Sequence, residues 1–227
     1  MKAVHARLCG FTASVRVPFL VSGTQLASPF PLYSTLLGLL GCCAGREVSP
    51  KEVRVGFSYF HNGETTDSVE RLIRLGVDPK GRLGRIKDRG VGQRSFHVDP
   101  MLDLYVVGDN AYEWLSNPVG IPCLGRSQDI AWIQDVSEIE LRPAEFGYVR
   151  GTWLPFSLNY PPGRIMRFAE YFQNDLLHHV RQAGPSSLFV AIPSDPPGVE
   201  IAQENLYHPL DSTAPGEVIY MHRWSIL

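Results

Sequence analysis

From Lys2 to Leu8 apolar and polar positions alternate, with Val4, Ala6 and Leu8 on one face and His5 and Arg7 on the other. That period of two predicts a half-buried strand at the start of the fold. After a proline-rich stretch, Leu36, Leu37, Leu40 and Cys43 recur at helical spacing; Ser34-Thr35 stands where such a helix opens and Gly45 where it ends. Val53, Val55, Phe57 and Tyr59 then share one face of a second strand, opposite Arg54 and Ser58. Leu102, Leu104 and Val106 mark another strand, and a further one is expected from Ile130 to Ile139.

Strand, helix and further short strands predict an α+β fold, compatible with a ferredoxin-like arrangement in which helices cover one face of an antiparallel sheet. From Tyr148 the texture changes. Pro155, Pro161 and Pro162 precede Ile165, Phe168, Phe172, Leu176 and Val180, whose spacing of three or four predicts a helix that Gly184-Pro185 stops. Strands at Ser187 to Ile192 and Glu217 to His222 would complete a smaller C-terminal α/β lobe. The expected division is 1–147 and 148–227, with no internal repeat and no low-complexity segment.

Composition narrows the function. The 227 residues are 44% hydrophobic, enough for a sizeable core, and the net charge of −2 denies the molecule a general attraction to nucleic acid. Any such affinity must be local. The 21 glycines and 18 prolines predict many turns. Cys42 and Cys43 are adjacent while Cys9 and Cys123 stand alone, which is neither a disulfide framework nor a paired metal motif, so a reducing cytoplasm and no metal are expected. No apolar run is long enough to span a bilayer, and the start of the chain lacks the uninterrupted apolar segment of a secretion signal.

The positive charge is concentrated. Between Arg71 and Arg94 lie Arg71, Arg74, Lys80, Arg82, Arg85, Lys87, Arg89 and Arg94 against only Asp78 and Asp88, interleaved with five glycines. Such a segment suits a protruding basic finger that lies along a sugar-phosphate backbone, or equally a solvated loop whose charge serves solubility. Ser14 and Arg16 follow the first strand and have the chemistry to hold phosphate oxygens. Ser34 and Thr35 could hold a phosphate at a helix N-terminus or cap their own helix, and capping is the reading that needs no ligand. Leu124 to Asp129 is turn-like. Phe11, Phe30, Tyr33 and Phe96 are candidates to stack on unpaired bases or core residues. His5 is expected to face solvent or RNA, and His178-His179, adjacent on the predicted helix, point too far apart for one metal.

Read together, Ala13-Ser14-Val15-Arg16, Ser28-Pro29-Phe30-Pro31 running into Ser34-Thr35-Leu36-Leu37-Gly38-Leu39-Leu40-Gly41, and Leu124-Gly125-Arg126-Ser127-Gln128-Asp129 resemble the Cas-five family. These are Cascade subunits of the repeat-associated mysterious protein superfamily, and the similarity is to the I-B-like branch. Gln93-Arg94-Ser95-Phe96 through Asp99-Pro100 is similar as well, and the resemblance covers roughly residues 1–140. It implies a ferredoxin-like, RRM-like N-terminal domain with an inserted thumb hairpin, placed here at 71–95. It further implies a non-catalytic subunit of CRISPR antiviral surveillance that binds and caps the five-prime handle of the guide RNA. The implied neighbours are the Cascade backbone and large subunits, with target DNA met indirectly and no cofactor. Carried onto this sequence, the implied RNA contacts are Ser14, Arg16, Thr35, Arg82, Arg85, Lys87, Arg89 and Arg94, with Arg126 and Ser127 either touching RNA or shaping their loop.

One branch of that family cleaves repeat RNA with a Tyr, Lys and His set, so a metal-independent endoribonuclease is the alternative, with Tyr105, Lys87 and His97 as available residue types. A third reading is a protein-interaction module whose basic loop docks on an acidic partner. No HExxH, GxSxG or phosphate-loop pattern occurs.

Overall fold

The computed structural model describes residues 1–17, 24–157, 163–175, 177, 180–210 and 216–226, with the side chains of residues 68–72, 74 and 85–89 outside that description. Its elements in chain order begin with β1 (Lys2–Gly10), β2 (Thr12–Ala13), β3 (Thr24–Gln25), α1 (Tyr33–Ala44) and β4 (Arg54–Phe60). A long hairpin of β5 (Gly63–Val77) and β6 (Leu83–Val98) comes next, then β7 (Met101–Val107), the short α2 (Ala111–Ser116) and β8 (Ala131–Val149). The rest is strands: β9 (Thr152–Pro155), β10 (Ile165–Ala169), β11 (Phe172–Asp175), β12 (Val180–Ala183), β13 (Ser186–Ile192), β14 (Val199–Pro209) and β15 (Ile219–Tyr220).

Among the described residues the main sheet has six strands in the order β15-β14-β8-β1-β7-β4, every neighbour antiparallel. Its two ends nearly meet. Gly56 of β4 bridges Met221, and the His222 amide donates to the Val55 carbonyl at 2.7 Å, so the sheet curls into an almost closed barrel. The closure depends on the missing side chain of Gly56, where a Cβ would lie 2.6 Å from the Tyr220 carbonyl oxygen and 2.7 Å from the Met221 sulfur.

α1 covers one face of this sheet with Leu36, Leu39, Leu40 and Cys43 buried. It stops at Gly45, whose φ of +67° is the left-handed conformation glycine adopts without a Cβ penalty. At its start the capping expectation fails. Leu32 is the capping residue and gives no side-chain bond, while Ser34 and Thr35 lie inside the first turn. The larger of two core clusters among the described residues includes Tyr33, whose ring stacks on His222 at 3.8 Å and meets Phe57, Phe189 and Trp224 at 5.4 to 6.0 Å, and Ala3, Ile139, Leu141, Ile219 and Met221 form the smaller one.

The C-terminal segment differs from the expected helix and α/β lobe: no helix follows α2 among the described residues. Of the residues spaced like a helical stripe, only Phe168 is buried, while Ile165, Phe172 and Val180 are 51%, 38% and 49% exposed and Leu176 lies outside the described residues. The stripe was a coincidence of spacing. Residues 165–169 instead pair with β13, which pairs on its other side with β9, and β11 and β12 form a small hairpin. β8 runs unbroken through residue 147, pairing with β1 up to Glu140 and with β14 from Leu141. His178 and His179 lie outside the described residues.

A buried carboxylate ties this segment to the chain end. Glu170 is 1% exposed; its Oε1 accepts from the Ser187 and Ser225 hydroxyls at 2.7 and 2.9 Å, and its Oε2 accepts from the Ser225 amide and His222 Nε2 at 2.8 and 3.2 Å. Burial alone would raise its pKa, yet the bonds from His222, Ser187 and Ser225 win and bring it down to about 2.

A carboxyl held below its unfolded value stabilises the fold above that unfolded value and loses the effect as pH falls through the folded one. Glu170→Gln should therefore cost about 3 kcal/mol at pH 7, and urea unfolding should show the deficit shrinking as pH approaches 2. An equal deficit at pH 7 and pH 2.5 would refute the carboxylate account.

Candidate nucleic-acid interface

Four segments far apart in sequence converge beside the first turn of α1. Ser14, Val15 and Arg16 come from the loop after β2, Thr35 from α1, Arg94 from β6, and Gly125 and Arg126 from the loop before β8; together they line a cleft of about 300 Å³. Of the ten residues implicated in RNA contact by sequence, Ser14, Arg16, Thr35, Arg94 and Arg126 are thus brought together. Their separation along the chain hides this neighbourhood.

The geometry sorts them by role. Ser14 is 3% exposed, its hydroxyl donates to the Ser95 carbonyl at 2.9 Å and its amide to the Leu124 carbonyl at 3.0 Å, so it joins two walls of the cleft. Gly125 has φ +124°, and a Cβ there would stand 2.2 Å from the Ser14 carbonyl oxygen. The two loops touch backbone to backbone.

Arg126 is a strut of its own loop. Its Nε and NH2 each donate to Asp129 at 2.9 Å, its amide donates to the same carboxylate at 2.9 Å, and its guanidinium lies over the Phe96 ring at 5.6 Å. Asp129 is fully buried and also accepts from the Thr12 hydroxyl at 2.7 Å. Burial would raise this carboxyl, but the bonds from Arg126 and Thr12 hold it below the usual carboxylate range. Ser127 is exposed, does not line the cleft, and lends its carbonyl to the Cys123 thiol at 3.6 Å.

Arg94 is a cation only 5% exposed. Arg16 is exposed at the mouth of the cleft, and among the described residues no ion pair engages it. Thr35 is half-buried. Arg16 and Thr35 make a pocket wall able to hold an anion through a guanidinium fork and a hydroxyl, and Arg94 adds a buried cation to the lining.

The basic segment is a β-hairpin running from Gly63 to Val98, rooted by Thr12 and Ala13 pairing with Val98 and His97 and by Thr24 and Gln25 pairing with Gln93 and Arg94. At its turn Asp78 accepts from the Lys80 and Arg82 amides at 2.9 Å and from Arg82 Nε at 3.0 Å. Arg82 stays exposed. Arg85, Lys87 and Arg89 lie on β6, and their side chains fall outside the described residues.

Other candidates separate clearly. Phe30 and Tyr33 are core, which removes them as base-stacking surfaces, whereas Phe11 is 76% exposed and touches Trp132, itself 44% exposed, at 5.2 Å between ring centres. Trp132 carries no sequence signal beyond its place on an alternating strand. His5 is not free toward solvent: it bonds Asp103 at 2.9 Å and stacks on Tyr105 at 4.8 Å. The Nδ1 of His97 is hydrogen-bonded to the Tyr59 hydroxyl at 2.8 Å, and its ring stacks on His61 at 4.0 Å. Burial, with His61 adding to it, brings His97 down to about 4, leaving it neutral at pH 7. This Tyr59, His61 and His97 group was not legible in the sequence.

Among the described residues no cluster of His, Cys, Asp or Glu could hold a metal ion, and no helix is long and apolar enough to cross a membrane.

No protein-family model and no curated protein matches the chain. It is similar to a chain of a solved CRISPR RNA-guided surveillance complex, at 22% identity over 56% of this chain and 58% of that one, with a TM-score of 0.44. It spans little more than half the length of that relative. A CRISPR protein from Archaeoglobus fulgidus is similar over 98% of this chain and 100% of its own, at 9% identity and a TM-score of 0.49. A chain of the type III-B Cmr-beta complex bound to cognate target RNA is similar over 84% of each, at 11% identity and a TM-score of 0.45. These solved chains are CRISPR-associated proteins.

The contact between the two cleft loops sets a contrast between glycines. Gly125→Ala should destabilise the protein by about 3 kcal/mol, since it adds strain at positive φ to a backbone clash. Gly38→Ala, on an α1 position with nothing within 4 Å of a new Cβ, should stabilise it by about 0.5 to 1 kcal/mol. Urea denaturation of both variants checks the two signs.

Proposed function

We propose that this chain is a Cas-five-like subunit of a CRISPR RNA-guided surveillance complex, that it holds the five-prime handle of the guide RNA, and that it does so without cleaving it. The observation that carries the reading is the cleft. Residues from the three motifs that resemble the family, with Arg94, line one anion-sized pocket at the root of the basic hairpin. An RNA phosphate would sit between Arg16, Arg94 and Thr35, and the strand would continue along the hairpin as a thumb, past Arg82, Arg85, Lys87 and Arg89.

The connectivity supports a ferredoxin-like, RRM-like framework. β1, α1, β4, β7, α2 and β8 follow one another in the strand-helix-strand-strand-helix-strand order, and their strands lie side by side as β8-β1-β7-β4. β5 and β6 are inserted between its second and third strands. In this reading the subunit works in the cytoplasm beside the Cascade backbone and large subunits, and meets target DNA through the guide.

The non-catalytic reading is supported by where the acid/base groups lie. His97 is 2% exposed and bonded to Tyr59, so its ring cannot reach an RNA 2′-hydroxyl without a rearrangement of the core.

Filter binding of handle RNA at increasing salt tests this. Arg16→Ala should weaken binding roughly tenfold and reduce the salt slope by about 1. Replacing Arg82, Arg85, Lys87 and Arg89 together by alanine should abolish binding. Unchanged affinity in the quadruple variant would refute the thumb, and wild-type indifference to RNA would refute the function in favour of a protein-docking module. Repeat RNA incubated with the protein in chelator should stay intact over hours; cleavage would make it an endoribonuclease.

A further inference from the structure

Two thiols converge at the far end of α1 from the cleft. The loop after α2 folds back over the last turn of α1: the Val119 amide donates to the Cys43 carbonyl at 2.9 Å and the Gly120 amide to the Cys42 carbonyl at 3.1 Å. The Cys42 thiol then donates to the Ile121 carbonyl at 3.3 Å, and the Cys123 sulfur, whose one proton faces the Ser127 carbonyl at 3.6 Å and the Ile121 carbonyl at 3.7 Å, lies beside the same Ile121 oxygen. Both sulfurs thus lie within 3.7 Å of one carbonyl oxygen. Gly120 keeps the room for this, since a Cβ there would stand 2.7 Å from the Cys42 sulfur.

The other cysteines are placed differently. Cys43 is fully buried in the core and its thiol is pushed up to about 11 by that burial, while Cys9 bonds the Gln134 side chain at 3.1 Å on another strand. Adjacent helix positions point about 100° apart, so Cys42 and Cys43 cannot join without breaking the last turn. Cys42 and Cys123 are both half-buried, so a small oxidant can reach them.

We propose that Cys42 and Cys123 form a reversible redox pair that closes into an intrachain disulfide when the chain meets a low-molecular-weight disulfide such as oxidised glutathione. One thiolate attacks a sulfur of oxidised glutathione, forming a mixed disulfide and releasing one glutathione thiolate. The second cysteine, as thiolate, attacks the protein sulfur of that mixed disulfide and releases the other. The protein loses two protons and two electrons, and the oxidant is reduced to two glutathione molecules. Disulfides in reducing compartments are characteristically transient and redox-sensing. Burial, together with the nearby Cys42, pushes the Cys123 thiol up, so closure speeds up as pH rises. Once closed, the bond pins the C-terminal end of α1 to the strand-like loop that continues into Gly125 and Arg126.

The test equilibrates the full chain with graded ratios of reduced and oxidised glutathione, alkylates remaining thiols, and maps peptides by mass spectrometry. The expected result is a Cys42–Cys123 cross-linked peptide in monomeric protein, a higher melting temperature of the oxidised form, and full reversal by dithiothreitol. Cys42→Ser and Cys123→Ser should each remove the cross-link, and Cys9→Ser and Cys43→Ser should leave it. Mixed disulfides that persist on Cys42 or Cys123, cross-links through Cys9 or Cys43, or disulfides between chains would each overturn the proposal.

Discussion

Tyr33 sits where three parts of the chain meet, and its burial is the constraint the rest of the structure obeys. Its ring stacks on His222 from the chain end, meets Phe57 of β4 and Phe189 of β13, and its hydroxyl donates to the Trp153 carbonyl. Because burial leaves a phenol no water to bond, that donor must find a protein acceptor. α1 is thereby fixed in rotation and height between the main sheet and the strands β9, β10 and β13. Thr35, two residues further on, inherits that position and is presented to the cleft. Glu170 secures the other side of the same contact through His222. A carboxylate in the C-terminal half is thereby linked, through His222 and Tyr33, to the helix that presents Thr35 to the cleft.

How far the sequence could be read follows from how local each signal is. β1, β4 and β7 alternate because one face of each packs under α1, and α1 closes at Gly45 because its conformation excludes a side chain. Those signals lie within a few residues and survive without tertiary knowledge. Ile165, Phe168, Phe172 and Val180 mislead for the opposite reason: their spacing matches a helix, but pairing of 165–169 with β13 decides the backbone, and that partner lies some twenty residues away. In the candidate site the residue types were legible from motifs, whereas their commitments were not. Ser14 bonds Ser95 and Arg126 bonds Asp129, commitments that fasten the cleft wall and that no local spacing signals.

This division of labour has an electrostatic logic. A buried guanidinium is tolerated only when paired or hydrogen-bonded, and Arg126 meets that demand through Asp129. Its charge is largely neutralised within the protein. Arg16, at the mouth, keeps its charge for whatever enters. In a chain of net charge −2, eight of the 21 lysines and arginines are thus concentrated between Arg71 and Arg94, at and above the cleft.

The near-closure of the sheet at Gly56 bears on how this chain can assemble with neighbours. A strand edge is a template for another chain's strand, and the bridge from Gly56 of β4 to Met221 draws the two terminal edges of the main sheet toward each other. The hairpin is different: β5 pairs with β6 alone among the described residues, over fifteen residues from Gly63 to Val77, and leaves its outer row of amides and carbonyls unpaired by any strand. Among the described residues the finger therefore carries the longest strand edge with no strand beside it, fifteen residues against four or five for β9, β10, β11 and β12.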